Sequence, residues 1–173
     1  MATEFHVVAL NGSPSSSSKT HTVARRAVEL AGQGEVIDLG SLDAAALLGR
    51  APAKDVTAAL EAIAGAPALL LATPVYRATF SGLLKVILDQ LPAEALLGKA
   101  CILTATGGSA HHSLVIDTAL RPLIASLEGW SVPTSLYATA DDFDPDGNLG
   151  NEKSLLLAQA VAEARMIAAA PTT

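Results

Sequence analysis

Apolar and polar positions alternate along the chain in blocks, with short apolar runs separated by longer Ala- and Leu-rich segments of helical spacing. Such alternation is typical of the βα units that build a parallel sheet. The third run, PALLLAT, is apolar at nearly every position, which indicates a central strand covered on both faces. The pattern predicts five strands, at Phe5–Leu10, Glu35–Leu39, Ala66–Thr73, Ala100–Ala105 and Val132–Tyr137.

The longer segments predict the helices and the points where they end. Helices are expected at Thr20–Ala31, Lys54–Ala64, Ser81–Leu91, His112–Glu128 and Glu152–Ala168. Gly32, Gly65 and Gly129 follow three of these segments and are suited to end them. The stretches Gly40–Ala53 and Asp141–Asn148 are expected to be connectors.

One α/β domain over residues 1–173 is expected, because a chain of this length fits a single domain with a substantial core. The units predict a doubly wound, five-stranded parallel sheet in the order 2-1-3-4-5, with helices on both faces. In this order the loops after strands one, three and four lie along the carboxyl edge, where such sheets bind ligands. The tail, from about residue 169 to 173, is expected to be disordered.

Charge and hydropathy narrow the possible partners and the location. With 16% charged residues and a net charge of −6, the chain lacks the basic surface that gathers nucleic acid or anionic lipid. No apolar run approaches the roughly 18 residues that a membrane helix needs, and no targeting segment is evident. A soluble, cytoplasmic protein is expected, without a nucleic-acid or membrane partner. The single cysteine, Cys101, excludes an internal disulfide and is expected to be buried as a small hydrophobe.

The loop after the first strand, NGSPSSSSKTHT, carries the candidate chemistry. Ser18 or Thr20 is suited to cap the following helix, whose first-turn N–H groups favour an anion. The hydroxyl groups add donors, and Lys19 adds one compact positive charge. The loop is therefore either a phosphate cradle or an ordinary polar turn with a helix cap, and its position after strand one favours the phosphate.

The missing glycines restrict the kind of phosphate. The triphosphate pattern G-x-x-x-x-G-K-[ST] does not fit, because Gly12 stands one place too far from Lys19 and Ser18 replaces the second glycine. The dinucleotide pattern G-x-G-x-x-G is also absent. Hydroxyl groups in place of glycines suit a terminal phosphate monoester.

The loops after strands three and four suit a flat ring. Pro74 restricts the chain as it leaves strand three, and Tyr76 is one of two tyrosines in a chain with three phenylalanines and one tryptophan. Gly107 and Gly108 follow strand four, where missing side chains let backbone amides approach a heterocycle edge. A planar ring is expected between the two loops.

The chain resembles the NADPH-dependent FMN reductases of the flavodoxin-like class, and among them those that serve sulfonate-degrading monooxygenases. The resemblance covers about Val7 to Tyr137. It rests on GSPSSSSKT from Gly12, on ATPVYRATFSGLLKVILDQLP from Ala72, and on ATGGSAHHSLVIDTALRP from Ala105. The middle motif is the most specific of the three.

The resemblance implies a flavodoxin-like fold, FMN and NADPH as cofactors, and a site built from the three loops. Hydride would pass from the nicotinamide to the flavin N5, with no indispensable acid or base side chain and no metal. By position, the FMN phosphate would be held by Ser13, Ser18, Lys19 and Thr20. The isoalloxazine would be flanked by Pro74, Val75, Tyr76 and Arg77, and its other edge would meet Thr106, Gly107, Gly108 and Ser109.

The resemblance also implies a homodimer or homotetramer, because Ser81, Gly82, Lys85 and Asp89 match a helix that packs against a second subunit in relatives. Thr118 stands where close relatives carry an aromatic residue or histidine. Its hydroxyl either bonds a carbonyl one turn back, or its small size removes a contact between dimers, so that FMN is retained.

Other residues have two interpretations or a purely structural one. His111 and His112 either assist binding near the ring edge or belong to a solvated helix start, the second being favoured. Trp130 and Phe143 are interpreted as packing residues.

The destination of the electrons stays open. The reduced FMN would leave for a monooxygenase, or a retained FMN would reduce a quinone, azo compound or oxyanion. A non-catalytic flavodoxin-type carrier is the third alternative, disfavoured because Tyr76 alone is available to cover the ring. Arg77 is the candidate to meet the 2′-phosphate of NADPH.

Overall fold

The strands and helices follow the predicted βα order in the computed structural model, which describes residues 4–170. The strands are β1 Val7–Asn11, β2 Gly34–Asp38, β3 Ala68–Pro74, β4 Ala100–Thr106, β5 Trp130–Ser131 and β6 Leu136–Ala138. The helices are α1 Lys19–Ala31, α2 Ala44–Leu47, α3 Lys54–Gly65, α4 Gly82–Leu88, α5 Arg121–Ser126 and α6 Asn151–Ala168. Short 3₁₀ turns lie at Leu39–Ser41, Ala110–His112 and Ala140–Asp142, and a π-helical segment spans Ile116–Leu120.

All strands are parallel and the sheet order is β2-β1-β3-β4-β5, with β6 also paired to β4, which confirms the predicted flavodoxin-like α/β fold. Strand β3 is central and buried along its whole length, as PALLLAT indicates. Leu69 and Leu71 face one core with α3 and α4, whereas Leu70 faces the other core with α1 and α6. Helices on both faces therefore bury the apolar sheet.

The fifth strand differs from the prediction, because it is split into β5 and β6 around Val132–Ser135. Pro133 has no N–H to donate to a strand ladder. Arg121 instead donates from Nη1 to the Val132 carbonyl (3.0 Å) and from Nη2 to the Pro133 carbonyl (2.9 Å). The predicted strand Val132–Tyr137 is therefore wrong over Val132–Ser135 and confirmed only at Leu136 and Tyr137.

The prediction that Trp130 and Phe143 are packing residues is confirmed for only one of them. Trp130 lies on the two-residue edge strand β5 with 63% of its surface exposed, so that interpretation is wrong for this residue. Phe143 is half-buried and packs against the core between the sheet, α1 and α6, as expected. Edge strands leave one side of each residue without a strand neighbour, and for Trp130 the side chain faces solvent.

The predicted helix His112–Glu128 is not one regular helix. It is divided into the 3₁₀ turn, the π-helical segment and α5, which has Pro122 in its first turn. The N–H of Arg121 bonds the Ile116 carbonyl, five residues back. The proline lacks an N–H, so the ordinary bond from its position cannot form there.

The helix ends follow the glycine predictions in part. Gly32 caps α1 in the left-handed conformation with φ of 79°, and Gly65 is the last residue of α3. After α5 the left-handed residue is Glu128, with φ of 62°, and not Gly129. Gly129 instead allows a close approach, since a Cβ there would lie 2.8 Å from Ile124 Cγ2.

The chain ends and connectors add smaller differences. Helix α4 is shorter than predicted, and the connector Gly40–Ala53 contains the short helix α2, capped by Asp43. Ala169 and Ala170 still donate hydrogen bonds to the last turn of α6, and the rest of the predicted disordered tail, residues 171–173, lies outside the described residues. Between residues 4 and 170, no helix has the length and apolarity needed to cross a membrane.

Candidate functional site

Three loops meet at the carboxyl edge of the sheet, as the predicted strand order requires. They are Gly12–Ser18 after β1, Val75–Ser81 after β3 and Gly107–Ser109 after β4. The hydroxyls of Thr20 and Thr106 are joined by a hydrogen bond of 2.7 Å, which links α1 to the end of β4. The N–H of Val75 donates to the Thr106 carbonyl at 2.8 Å, which links the second and third loops. Residues from all three predicted groups therefore meet around Thr106.

The first loop presents an open helix N-terminus. Ser18 is the N-cap of α1 and accepts a hydrogen bond from the His21 N–H at 3.1 Å, so of the two predicted caps Ser18 is the one used. Within residues 4–170, no partner is found for the backbone N–H groups of Ser16, Lys19 and Thr20. Orphan N–H groups of a first helical turn favour an anion.

The hydroxyl groups of this loop fall into two classes. Ser13 and Thr20 are buried, and the Ser13 hydroxyl accepts a bond from the Ser15 N–H at 3.2 Å. Ser15, Ser16 and Ser17 are exposed. The buried hydroxyls therefore shape the loop, and the exposed ones face solvent.

A polar network below the loop was missed by sequence reasoning. Asn11 is fully buried; its amide donates to Asp38 Oδ1 (2.7 Å), and its carbonyl oxygen accepts from the Ser13 N–H (3.1 Å). His21 Nδ1 lies 2.8 Å from the same Asp38 oxygen. The network joins β1, β2 and α1 under the loop. Its one signal in the sequence is a polar residue at the end of the apolar run FHVVALN.

Lys19 is placed differently from the other residues of the predicted phosphate group. Its side chain is exposed, and Nζ lies 5.7 Å from the centroid of the Phe143 ring. A cation over an aromatic face at this distance is weakly attracted. Lys19 therefore connects the first loop to the segment Ala140–Leu149 that follows β6.

The second loop is a tight turn with unusual backbone angles. Tyr76 and Thr79 exchange two backbone hydrogen bonds, of 2.9 and 3.2 Å, across the turn. Its central residues, Arg77 and Ala78, have φ of 50° and 64°, in the left-handed region that glycine prefers. Tyr76 is 51% exposed and Arg77 is also exposed, whereas Pro74 is buried at the end of β3.

The third loop contains the two glycines, and they have different surroundings. A Cβ on Gly107 would lie 2.1 Å from the Tyr137 hydroxyl oxygen, whereas a Cβ on Gly108 would meet nothing within 4 Å. The Tyr137 hydroxyl donates to the Ser109 carbonyl at 2.7 Å. Sequence reasoning placed Tyr137 only at the end of a strand, although a tyrosine there brings a polar tip to the carboxyl edge.

The histidine pair belongs to a helix start, as the favoured interpretation says. The Ser109 hydroxyl accepts from the His111 N–H (3.3 Å) and lies 2.9 Å from His111 Nδ1, and both histidines are exposed. Among residues 4–170 there is no group of three or more potential metal ligands. Cys101 is buried, and burial raises the pKa of its thiol to about 12, as expected for a packing residue.

The residues matched to a subunit contact lie on or next to α4. Ser81 is buried and caps α4, while Gly82, Lys85 and Asp89 are exposed and the last two form an ion pair. The Thr118 hydroxyl donates to the Leu114 carbonyl at 2.8 Å, which confirms the local interpretation of that residue.

The edge of the sheet suits a ligand that has an anionic end and a flat end. Within residues 4–170, the first loop has N–H groups without a partner and exposed hydroxyls, and Gly108 leaves open space beside the third loop. A phosphate suits the first feature and a ring edge the second. The assignment of individual residues to FMN stays a prediction.

Comparison with known proteins identifies the family. A family model described as NADPH-dependent FMN reductase matches residues 5–144. The chain is 37% identical over 153 residues to an FMN reductase (NADPH) of Pseudomonas aeruginosa, covering 83% of this chain and 82% of the relative. It is equally identical to the NADH-dependent FMN reductase SfnF of Pseudomonas fluorescens, covering 83% and 81%.

The fold agrees with this match. The apo crystal structure of the NADH:FMN oxidoreductase EMOB superposes with a TM-score of 0.85 at 35% sequence identity, covering 94% of this chain and 89% of the other. The family match over residues 5–144 spans the three loops of the site as well as the sheet. The chain therefore belongs to the NADPH-dependent FMN reductase family and is an oxidoreductase that uses FMN and a nicotinamide nucleotide.

Proposed function

We propose that this protein supplies reduced FMN to a flavin-dependent monooxygenase, using NADPH as the hydride donor. The observation that carries the proposal is the shared edge of the three loops, where an open helix N-terminus and an open glycine backbone are linked through the Thr20–Thr106 bond of 2.7 Å. The resemblance to reductases of sulfonate-degrading systems supports the choice of partner.

The residues divide the work of binding. Backbone N–H groups of Ser16, Lys19 and Thr20, with the Lys19 charge and the exposed hydroxyls, would hold the FMN phosphate. Ser13 and Ser18 would act by shaping that loop. The flavin, when bound, supplies the hydride acceptor, so the protein contributes orientation and nearby dipoles.

The second and third loops would enclose the ring. Pro74, Val75, Tyr76 and Arg77 would flank it on one side, with Tyr76 half exposed and able to stack. On the other side Thr106 would hold the loop in place, while Gly107, Gly108 and Ser109 would bring backbone groups to the ring edge.

Few aromatic side chains lie on the loops that would flank the flavin ring, and this favours release of reduced FMN over its retention. Of the two aromatic residues on the loop after β3, Tyr76 is exposed and Phe80 packs against the core, and the opposite loop contains two glycines. One ring face is thereby left for the nicotinamide, and the flavin is held by few large contacts. A retained FMN that reduces another acceptor is the competing function.

A preference for NADPH would come from Arg77, whose exposed guanidinium lies on the ring loop. A planar guanidinium can bind the 2′-phosphate with two parallel hydrogen bonds. The exposed α4 residues Gly82, Lys85 and Asp89, which match a subunit contact in relatives, support assembly as a homodimer or homotetramer.

The test is steady-state oxidation of NADPH with free FMN as the second substrate, followed at the nicotinamide absorbance band. Saturable turnover in both substrates is expected, and riboflavin, which lacks the phosphate, should show a KM at least about 10-fold above that of FMN. NADH in place of NADPH tests the role of Arg77. Absence of oxidation would indicate an electron carrier. Equal KM values for riboflavin and FMN would contradict the proposal that the first loop binds the phosphate.

A further inference from the structure

The loop Gly107–Ser109 is held by strand β6 through one backbone bond and one side chain. Two hydrogen bonds join the loop to distant parts of residues 4–170: the Gly107 N–H donates to the Ala138 carbonyl (3.0 Å), and the Tyr137 hydroxyl donates to the Ser109 carbonyl (2.7 Å). The remaining bonds of the loop are local, to His111 and His112. Tyr137 therefore holds the far end of the loop.

The same hydroxyl also lies against the near end of the loop. A Cβ on Gly107 would come within 2.1 Å of Tyr137 Oη and 3.1 Å of Cζ. The phenol group thus occupies the volume that any other residue at position 107 would need. The opposite side of the loop is open, since a Cβ on Gly108 meets no atom within 4 Å.

We propose that Tyr137 is a positioning residue for flavin binding, because it fixes the backbone of Gly107–Ser109 at the sheet edge. Position 107 requires a glycine in this proposal because the Tyr137 hydroxyl occupies the space that a Cβ would need. The proposal rests on the proposed function, because the loop matters only if FMN binds beside it. It separates the two glycines: Gly107 serves the tyrosine, and Gly108 leaves the backbone accessible to the ligand.

The chemistry of the contact suits a fixed support. Burial raises the pKa of Tyr137, so its hydroxyl keeps its proton and remains a donor at neutral and mildly alkaline pH. A bond to a carbonyl limits rotation of the Ser109–Ala110 peptide. The ring packs against the core on one side, so the hydroxyl has a defined place.

Three variants test the pairing. Tyr137→Phe removes the hydroxyl and keeps the ring, Gly107→Ala adds the Cβ, and the third variant combines both substitutions. Tyr137→Phe is expected to raise the Kd for FMN by about 3- to 10-fold. Gly107→Ala is expected to raise it by more than about 10-fold, because the added Cβ and the hydroxyl cannot both be accommodated.

The combined variant is the decisive one. Without the hydroxyl, the nearest atom to the new Cβ is Cζ at 3.1 Å, which a small shift relieves. The Kd of Gly107→Ala/Tyr137→Phe should therefore lie within about 3-fold of that of Tyr137→Phe alone, a strong departure from additivity. Additive effects of the two substitutions would overturn the proposal.

Measurements on the flavin-free protein provide a second readout. Amide exchange of Gly107 and His112, whose N–H groups donate to the Ala138 carbonyl (3.0 Å) and the Ser109 carbonyl (3.3 Å), should be faster in Tyr137→Phe than in the wild type, with the global unfolding midpoint little changed. Thr134→Val is the matched control, because it removes a 2.6 Å hydrogen bond to Glu163 from the segment before β6 without touching the loop. It should lower stability and leave both the exchange of the loop and the Kd for FMN unchanged.

These measurements distinguish failure of this proposal from failure of the proposed function. A wild-type protein that binds no FMN, combined with faster loop exchange in Tyr137→Phe, would refute the function while the loop support stands. FMN binding in the wild type that is unaltered in Tyr137→Phe, with unaltered loop exchange, would refute the role of Tyr137 and leave the function in place.

Discussion

At the residue scale, similar side chains in the first loop have different roles because their burial differs. Ser13 and Thr20 use their hydroxyls within the protein, whereas Ser15, Ser16 and Ser17 stay exposed. A buried hydroxyl without a partner costs free energy, so the buried ones are bonded internally. The loop composition alone does not distinguish the two classes.

Substitution of Lys19 tests whether the first loop binds the FMN phosphate. Lys19→Ala should raise the KM for FMN by about 5- to 10-fold and change kcat little in FMN-saturated enzyme, because a phosphate charge is distant from the ring that accepts hydride. Steady-state kinetics with varied FMN measures both quantities.

The contact of Lys19 with Phe143 provides the control. Phe143→Leu removes the ring 5.7 Å from Nζ but leaves the positive charge in the loop. Its KM for FMN should stay within about 2-fold of the wild type, since the charge that would meet the phosphate is retained. If Phe143→Leu and Lys19→Ala raised the KM equally, Lys19 would act by fastening the segment after β6 and not by binding phosphate.

At the element scale, the turn Tyr76–Thr79 places two non-glycine residues in the left-handed region. Such a conformation costs roughly 1–2 kcal/mol per residue. The turn is closed by two backbone bonds and follows the buried end of β3, so the surrounding structure imposes it. The strain lies in the loop that would flank the ring.

Ala78→Gly should relieve part of this strain and raise the free energy of unfolding by up to about 1 kcal/mol, after the larger entropy of the unfolded glycine chain is deducted. Urea denaturation measures the change. Glu128 also has a left-handed φ, of 62°, but lies outside this turn. Glu128→Gly should therefore give a similar gain in the free energy of unfolding without altering the KM for FMN. Ala93→Gly, at an exposed loop alanine outside that region, should lower stability; a gain there would show that the left-handed angles are not the cause.

The interruption between β5 and β6 is also an element-scale feature, held by α6. Thr134 donates from its N–H (2.8 Å) and its hydroxyl (2.6 Å) to the Glu163 carboxylate. Partial burial alone would raise the pKa of Glu163, but the bonds from Thr134 and Gln159 and the charge of Arg121 outweigh it and hold the pKa below its ordinary value of 4.5.

A lowered pKa means that the ionised carboxylate stabilises the fold. Glu163→Gln should therefore cost up to about 1 kcal/mol above about pH 4.5, and this difference from the wild type should disappear as the pH falls through the folded-state pKa. Denaturation over a pH series from about 7 downwards measures it. The same substitution in a Thr134→Val background, which lacks the 2.6 Å bond from the hydroxyl, should show a smaller pH dependence, and an equal dependence in both backgrounds would contradict the role of Thr134.

At the scale of the whole molecule, the candidate site lies on one edge of a single sheet, and part of α4 is exposed. The Thr118 hydroxyl bonds the Leu114 carbonyl of its own helical segment, as the local interpretation predicts, whereas the lost contact between dimers stays a prediction. Under the proposed function, we expect the molecule to exchange FMN as a substrate.

We expect a homodimer or homotetramer that is isolated with well below one FMN per chain. Light scattering coupled to size-exclusion chromatography measures the assembly, and the flavin absorbance of the same peak measures retention. Thr118→Val, which replaces the back-bonding hydroxyl by a methyl group, should leave both unchanged. A dimer carrying about one FMN per chain would contradict release and support the retained-flavin alternative.

The amino-acid sequence by itself determined the parallel sheet, its strand order, the three loops at its carboxyl edge and the family. Hydrophobic periodicity reports which faces are buried, and the rules for right-handed crossovers restrict the order of five βα units. Local signals such as Ser18 before α1 and Gly32 after it were readable for the same reason, because a helix end depends on a few neighbouring residues.

The tertiary structure alone decided how the loops are supported and where the pattern breaks. Thr20 and Thr106 are 86 positions apart, Tyr137 and Ser109 are 28 apart, and Asn11 and Asp38 are 27 apart. The split of the fifth strand depends on Arg121, which reaches the carbonyls of Val132 and Pro133 from another element. Such contacts join residues that no local period relates, so they exist only once the sheet has brought its strands and helices together.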